Sequence, residues 1–247
     1  MSVFEEAPEL LRHVGPSASA EAIGVRTRLL VAEPGAWLPP GRPGEARCHF
    51  GLLVVDGLLL RRVRLGRRSG AELLGGGDLL QPWVLQPPYE TLAVESGWEV
   101  LERARLAVLD GRFAASVARW PGVAAALVER VIERTRTLAF QLAASHITGL
   151  ERRLLALLWA LADRWGRVTA GGVLVPLGLT HATLAELVGA SRPSVSTALA
   201  QLARDDALER LPGGWLLHGQ PPEGAPQGLD REPAVAGLAS AGAFVDH

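Results

Sequence analysis

The spacing of apolar and polar positions changes partway along the chain. From about Val25 to Leu109, short apolar runs such as HFGLLVV and DLLQPWVL alternate with glycine and proline. Runs of this length, punctuated in this way, are typical of antiparallel β-strands. They predict an N-terminal antiparallel β-domain, built as a small barrel or a jelly-roll-like β-roll.

Local turn and helix signals divide this first region further. The segment VFEEAPELLRHV, residues 3–14, has a loose helical pattern that ends at Gly15, so we expect one short leading helix. Asp56-Gly57 separates two apolar runs, and both residue types tolerate the positive φ of a tight turn, so the pair predicts a β-hairpin. A second turn is expected near Arg67–Gly70.

A helical period begins after Trp120. Apolar positions there follow alternating steps of four and three residues, which is the spacing of a heptad seam. Such a helix can be a core helix packed on its own domain, but this one joins two regions of different pattern, which favours an interchain coiled coil in a homodimer. The predicted dimer seam consists of Ala124, Val128, Val131, Thr135, Leu138 and Leu142.

A second helix is predicted at 150–165, where leucines repeat on one face. Gly149 precedes it and supplies backbone freedom, so it is a candidate hinge between domains. The fold class is therefore α+β: an N-terminal β-roll, a long dimerisation helix and a C-terminal domain of helices and short strands. The expected domains are the β-roll at 1–121, the dimerisation helix at 122–148, the C-terminal domain at 149–219 and a disordered tail, poor in large apolar residues, at 220–247.

The clearest motif lies in residues 176–218. A helix-turn-helix needs a small residue where its helices cross, a glycine at the turn and an aliphatic residue that packs the second helix back, and Ala185, Gly189 and Val195 have that spacing. Ser191 is a suitable N-cap for the second helix, and Pro193 fits its first turn. The polar residues left facing outward, suited to base edges and phosphates, are Arg192, Ser194, Ser196, Thr197 and Gln201.

A wing is expected directly after this helix pair. The segment ALERLPGGWLLHG reads as two short strands around Pro212-Gly213-Gly214, and Val173–Val175 can add a third strand. Any two helices with a glycine turn could imitate the bare motif. The wing at the expected distance favours a DNA-binding domain over that simpler interpretation.

Composition narrows the possible functions. The chain has a single cysteine and no lysine, which excludes a cysteine-ligated iron–sulfur cluster, Schiff-base chemistry and a phosphate-binding P-loop. No nucleophile–base pair or paired metal spacing is present, so we expect no enzyme, no catalytic residues, no metal and no cofactor. The apolar runs are too short for a membrane span and the N-terminus is acidic, so a cytoplasmic location is expected.

These motifs resemble the Crp/Fnr family of transcription regulators over roughly residues 25–218. ELVGASRPSVSTALAQL is similar to that family's helix-turn-helix, and GGGDLL to the strand that leads into the ligand cassette of its cyclic-nucleotide-binding-type β-roll. The resemblance implies that Arg192 and Thr197 face the major groove and that Thr180 contacts phosphate. Pro193 and Thr197 stand where well-studied members carry an acidic residue and a second arginine, so the operator sequence does not carry over.

The sensor end departs from the family further. Gln81-Pro82 replaces the expected Gly-Glu pair, and the segment QPPYETLAV, residues 86–94, lacks the arginine that pairs the phosphate. Because an unpaired buried phosphate charge is costly, we expect no response to cyclic nucleotides. Cys48-His49 offers two haem ligands, but neighbouring strand residues point to opposite faces, so a buried cysteine beside a surface histidine is favoured.

Two further residue groups remain open to more than one interpretation. Trp37, Trp83 and Trp98 could line an apolar pocket or simply fill the core. The arginines at 61, 62, 64, 67 and 68 could bind an anion, polymerase or DNA, or form a solvated hairpin.

The sequence thus predicts a homodimeric transcription regulator. Its expected partners are double-stranded DNA with a near-palindromic operator, a second copy of itself and an unknown small-molecule effector, with RNA polymerase as a further candidate. The alternative is a small-molecule-binding or protein-interaction module that has lost DNA binding. The charge of residues 150–218, with seven arginines against six acidic residues, favours that alternative because DNA binders usually show a basic excess.

Overall fold

The structure, a computed structural model, describes residues 1–39, 50–66, 68–81 and 93–222. Some of the residues that carry predictions fall outside these ranges: Cys48, His49, Arg67, Pro82, Trp83, most of the 86–94 segment and the stretch 223–247. Within the described ranges, no helix combines the length and the apolar character that crossing a bilayer requires.

The chain begins with short helical pieces rather than one leading helix. α1 (Val3–Glu6) is followed by a 3₁₀ turn at Pro8–Leu11 and then by α2 (Pro16–Ala22). The single leading helix expected at 3–14 is therefore wrong. The two prolines have opposite effects. Pro8 disfavours the helical conformation at Ala7, so α1 ends there. Pro16 can start α2, because backbone N–H groups in the first turn of a helix have no acceptor within the helix and the missing N–H of proline costs nothing.

An antiparallel sheet forms the N-terminal domain, as the short apolar runs predict. Its strands pair in the order β1-β6-β3-β4, with β2 added on β6 and β5 on β3. β3 and β6 are long and pair along most of their length. The strands are β1 (Arg28–Ala32), β2 (Gly35–Trp37), β3 (Gly51–Leu65), β4 (Arg68–Gly75), β5 (Leu79–Leu80) and β6 (Val94–Leu109).

Asp56-Gly57 is a bulge inside β3 and not the predicted hairpin. The register of β3 on β6 shifts on both sides of Asp56, and Gly57 has φ +90°. A Cβ at Gly57 would lie 2.4 Å from the carbonyl oxygen of Arg103 on the neighbouring strand. The positive φ is thus present, but it serves a bulge with a close backbone approach. The β3–β4 turn follows at Leu65–Arg68, close to the second predicted turn.

Two helices lead away from the sheet. α3 (Gly111–Val117) starts at Asp110, whose side chain accepts hydrogen bonds from the backbone N–H groups of Arg112 and Phe113. α4 (Pro121–Ser145) follows and is the long helix of the protein. The sequence predicts α4 from its heptad spacing but gives no expectation for α3.

The C-terminal domain contains three helices and a small antiparallel sheet of strand order β7-β8-β10-β9. β8 pairs with β10, so Val173–Val175 does supply the third strand of the wing. The elements are α5 (Leu150–Trp165), β7 (Arg167–Thr169), β8 (Gly172–Val175), α6 (His181–Val188), α7 (Arg192–Arg204), β9 (Leu208–Leu211) and β10 (Gly214–Leu217).

One hydrophobic core extends across both domains. Leu59 and Leu74 pack inside the N-terminal sheet, but their neighbours Leu58, Leu60 and Leu73 belong to the core formed by α5, α6, α7 and the wing. We call this the shared core. Since alternate residues of a strand point to opposite faces, the β3–β4 hairpin is apolar on both sides, and the C-terminal domain covers the outer one.

Candidate nucleic-acid interface

The turn between α6 and α7 is built from the residues that the sequence singles out. Gly189 ends α6 in the left-handed conformation, with φ +65° and ψ +40°, and the Ala190 N–H donates to the Ala185 carbonyl at 2.9 Å. Ser191 then caps α7, because its hydroxyl accepts the Ser194 N–H at 3.2 Å. The turn between the two helices is thereby set by the left-handed Gly189 and by the side-chain cap of Ser191.

α7 divides into a buried side and an exposed edge. Val195, Ala198, Leu199 and Leu202 are buried in the shared core. The opposite edge carries Arg192, Pro193, Thr197, Ala200 and Arg204, all exposed. Arg192 and Arg204 stand twelve residues apart on α7, which corresponds to about 18 Å along the helix.

The predicted contact residues of α7 differ in how free their side chains are. Arg192, Ser194 and Thr197 are exposed, whereas Ser196 and Gln201 are half-buried. Ser196 is engaged with the His181 ring at 2.9 Å, and Gln201 donates to Asp205 at 2.9 Å. Thr197 donates its hydroxyl to the Pro193 carbonyl at 3.2 Å, and the Ser194 hydroxyl lies 2.8 Å from that of Ser191. Arg192 is therefore the member of the predicted set whose side chain is most available to a ligand.

At the start of α6, Thr180 acts as the N-cap and accepts the Thr183 N–H at 3.1 Å. Thr180 is exposed beside the first turn, where backbone N–H groups and the helix dipole favour an anion. His181 follows it and connects α6 to α7 through Ser196. Sequence reasoning missed this role of His181, since a lone histidine carries no spacing signal.

The wing is anchored against the helix pair through Trp215. Trp215 is buried, its ring centroid lies 6.1 Å from that of His181, and the Arg210 guanidinium lies 4.3 Å from its ring centroid. Arg210 also donates to the Leu179 carbonyl at 3.2 Å. Arg210 and Arg204 are exposed arginines that the sequence prediction did not include in the interface.

The joint between α4 and α5 contains a glycine with a positive φ and an arginine that bridges two carbonyl groups. Gly149 has φ +88°, a conformation that other residues rarely adopt. Arg153 of α5 donates to the Ile147 carbonyl at 3.2 Å and to the Val188 carbonyl at 3.0 Å. A single side chain therefore connects the joint to the end of α6, and its contacts are not visible from the sequence.

The arginines of β3 lie beside acidic neighbours. Arg61 lies 3.8 Å from Glu72, Arg62 is 2.5 Å from both Glu99 and Glu186, and Arg64 is 3.2 Å from Glu95. These pairs leave little free positive charge at Arg62 and Arg64, whereas Arg61 shares Glu72 with Arg134. The solvated, ion-paired interpretation of this cluster fits its described members better than an anion site does.

Other side chains in the described ranges that could have a functional role, a histidine and two tryptophans, also contact neighbours within the protein. His13 contacts Glu129 at 2.8 Å, and no group of three or more metal-ligating side chains occurs within those ranges. Trp37 and Trp98 pack edge to face with centroids 5.9 Å apart on the core of the sheet, which agrees with the core-filling interpretation.

The predicted seam of α4 faces outward. The exposed fractions are 57% for Val128, 48% for Val131, 41% for Leu138 and 67% for Leu142. Ile132, which the heptad prediction did not include, is also exposed beside them. A stripe of large aliphatic side chains along one helix is unusual on a protein surface that meets only water.

A helix pair with a glycine turn, an exposed polar edge on its second helix and a wing of short strands defines a winged helix-turn-helix DNA-binding protein. Residues 152–218 match the family model described as a Crp-like helix-turn-helix domain. No curated protein matches the chain.

Solved structures share the whole architecture at low sequence identity. A cyclic nucleotide-binding domain containing protein from Listeria monocytogenes EGD-e has a TM-score of 0.62 at 13% identity, over 87% of this chain and 97% of that one. A CooA variant from Carboxydothermus hydrogenoformans has 0.60 at 20%, over 77% and 83%. A CRP family transcriptional regulator from Thermus thermophilus has 0.55 at 22%, over 77% and 91%.

Residues 152–218 therefore form a Crp-like helix-turn-helix domain, and the N-terminal sheet and the long helix share the fold of these solved structures.

Proposed function

We propose that two copies of this chain pair along α4 and read a near-palindromic operator with their α7 helices, in the cytoplasm. The observation that carries the proposal is the exposed edge of α7, where Arg192 and Thr197 face solvent while the other side of the helix is buried. Paired helices of this kind reach half-sites about one helical turn, roughly 34 Å, apart.

The residues of the interface divide into two roles. Arg192 and Thr197 are placed to meet base edges, with Ser194, Ser196 and Gln201 beside them. Thr180 and the N-cap Ser191 lie at helix starts, where phosphates bind. Arg192 is the main candidate for discrimination, because a guanidinium can donate two parallel hydrogen bonds to guanine.

The dimer rests on the outward seam of α4. Val128, Val131, Leu138 and Leu142 would be covered by the same residues of a second copy, together with Ala124 and Thr135. The Thr135 hydroxyl donates to the Val131 carbonyl at 2.9 Å, so its polar atom is already satisfied within the helix.

We propose a small-molecule effector that is not a cyclic nucleotide. A cavity of about 1360 Å³ lies between the N-terminal sheet, α4 and α5, and gives such a molecule room. Arg134, on the α4 side of this cavity, already holds the buried Glu72 through two hydrogen bonds of 2.6 and 2.8 Å. That arginine is therefore not free to neutralise a phosphate. RNA polymerase stays a candidate partner of the exposed surface.

Selection from random duplex DNA tests the proposal. The purified full chain should enrich one near-palindromic sequence, and the affinity for it should fall steeply with salt as phosphate contacts release counterions. Enrichment of no sequence, together with salt-insensitive behaviour, would support the alternative of a module that has lost DNA binding, which the balanced charge of residues 150–218 favours.

A further inference from the structure

The C-terminal domain packs on the N-terminal sheet through α6, the first helix of its helix-turn-helix. α6 lies against β4, and the outer face of the β3–β4 hairpin is buried beneath the C-terminal domain. Leu58, Leu60 and Leu73 are 3%, 0% and 3% exposed, although they point away from the interior of their own sheet. Undocking would return these side chains to water, which disfavours a freely swinging domain.

An ion pair marks one end of this contact. The Arg62 guanidinium of β3 donates from Nε to Glu186 of α6 at 2.5 Å, and its Nη2 lies 2.5 Å from Glu99 of β6. Burial alone would lower the pKa of Arg62, but its hydrogen bonds to the two carboxylates outweigh burial and raise that pKa. Arg62 therefore connects the sheet to the helix that carries α7.

A second contact lies at the other end of β4. Arg164 of α5 donates to Asp78 at 2.6 Å, and the same carboxylate oxygen accepts the Gly75 N–H at 2.7 Å. Trp165 packs so closely over Gly75 that a Cβ there would lie 2.9 Å from its ring. Arg62 pairs in register with Ala71, four residues before Gly75, so the two contacts are about 13 Å apart along β4.

Two separated contacts fix the rotation of a domain, whereas one would leave it free to turn. In this docked arrangement, Arg192 and Thr197 stay exposed, because α6 and α5 provide the contacts while the polar edge of α7 faces elsewhere. The docked arrangement thus leaves the reading surface open.

We propose that Arg62 is a positioning residue for DNA recognition: through Glu186 it holds the helix pair at the angle that matches the distance between two half-sites. This rests on the proposed dimeric DNA binding. Arg62 touches no DNA, so its loss should weaken binding to the paired half-sites while leaving the contact with one half-site unchanged.

The test uses the full chain and the operator that the wild-type protein selects. We expect Arg62→Glu to lower affinity for the two-half-site operator by roughly tenfold and to broaden the range of half-site spacings that bind. Affinity for DNA with a single half-site should stay the same. The triple variant Arg62→Glu/Glu186→Arg/Glu99→Gln restores the pair with reversed charges and removes the repulsion that Glu99 would otherwise exert, so it should recover both affinity and spacing preference.

Arg64→Glu is the matched control. Arg64 lies two residues further on the same strand, on the same face, and pairs with the exposed Glu95 within the sheet. It should change neither affinity nor spacing preference. Amide hydrogen exchange at Leu58–Leu60 should rise in Arg62→Glu only, since undocking uncovers that strand.

The outcomes separate the two proposals. If the wild-type chain selects no operator, dimeric DNA reading fails and positioning fails with it. If it selects one, but folded Arg62→Glu keeps its affinity and spacing preference, or the charge reversal restores neither, positioning by Arg62 is overturned while DNA reading stands. Should Arg62→Glu not fold, Glu186→Gln replaces it with the same expected result.

Discussion

Arg192 is the residue on which the proposed base reading depends most. Its guanidinium is exposed at the first turn of α7, and bidentate contact with guanine contributes about 1–3 kcal/mol of discrimination. Arg192→Ala should therefore reduce operator affinity about 5- to 150-fold in a gel-shift titration, without changing the melting temperature.

The matched control for Arg192 is Arg112→Ala. Arg112 is also exposed but lies on α3, in the N-terminal half of the chain. Equal losses in the two variants would show that only overall charge matters, and would contradict a reading role for Arg192.

Asp78 should give the stability of the protein a measurable pH dependence. Burial raises the pKa of the Asp78 carboxyl, although Arg164 and the Gly75 N–H oppose that rise. The folded protein therefore holds this proton to higher pH than the unfolded chain does, and the stability linked to Asp78 is lost as pH rises through the folded pKa.

Asp78→Asn removes this titration. The free energy of unfolding of the wild type, relative to that of the variant, should fall as pH rises from about 4 to about 7, as measured by urea denaturation. If the wild type instead gains stability relative to the variant over the same range, the ion pair with Arg164 outweighs burial.

Residue-level chemistry explains which parts of the interface the sequence could predict. Ser191 and Gly189 carry local requirements, a cap and a positive φ, which act whatever surrounds them, and both were predicted correctly. His181, Arg153 and Arg210 act through partners that are distant in sequence or belong to another element. Their roles become visible only when those partners are placed.

Among the elements, α4 offers a direct test of the dimer. Leu138→Glu places a charge on the exposed aliphatic stripe and would leave it buried without a partner in a dimer. We expect association to weaken by about 3 kcal/mol or more, so that light scattering or sedimentation detects monomers at concentrations where the wild type is dimeric.

Thr137→Glu provides the control within the same helix. Thr137 is exposed next to Leu138 but lies outside the heptad seam, so the added carboxylate should leave the dimer intact. Dissociation of both variants would indicate a general destabilisation of α4, and dissociation of neither would remove α4 as the dimer contact.

The bulge in β3 predicts an unequal response to two similar substitutions. Gly57→Ala introduces a Cβ at φ +90° and 2.4 Å from the Arg103 carbonyl oxygen, and should lower the free energy of unfolding by about 1–3 kcal/mol in chemical denaturation. Gly70→Ala, where a Cβ meets nothing within 4 Å, should change it by less than about 0.5 kcal/mol. Equal effects would contradict the assigned bulge.

The elements differ in how far the sequence could define them. α5 and α7 have strong apolar periodicity. Glycines flank α5 and Ser191 caps α7, so the limits of α5 and the start of α7 were predictable. Asp56-Gly57 misled the interpretation because a hairpin and a bulge make the same local demand for positive φ. α3 was missed because seven residues directly after the apolar strand β6 show too little periodicity.

At the scale of the whole molecule, the N-terminal domain lacks sequence elements that the resemblance to Crp/Fnr regulators would lead us to expect in a nucleotide binder, since Gln81-Pro82 replaces the Gly-Glu pair. Cyclic AMP or cyclic GMP at about 1 mM should not shift the melting temperature. A nucleotide whose Kd lay about 100-fold below that concentration would stabilise the protein by roughly 2.7 kcal/mol, which such a measurement detects. A clear upward shift, confirmed by calorimetry, would contradict the expectation drawn from Gln81-Pro82 and the paired Arg134.

The docking of the two domains could have been suspected from one sequence feature. Leu58, Leu59 and Leu60 are consecutive apolar residues on a strand, and a strand that is apolar on both faces must be covered on both. What covers the outer face depends on the tertiary arrangement, which strand periodicity does not encode.

Because Leu60 and Leu73 pack in the same hydrophobic core as α5 and the wing, we expect the C-terminal domain to be unstable when it is separated from the N-terminal sheet. A fragment that starts at Gly149 would expose an adhesive leucine-rich surface and would tend to self-associate. A fusion of the C-terminal domain to a different protein should therefore include the β3–β4 hairpin, or replace the apolar residues that pack against that hairpin with polar ones.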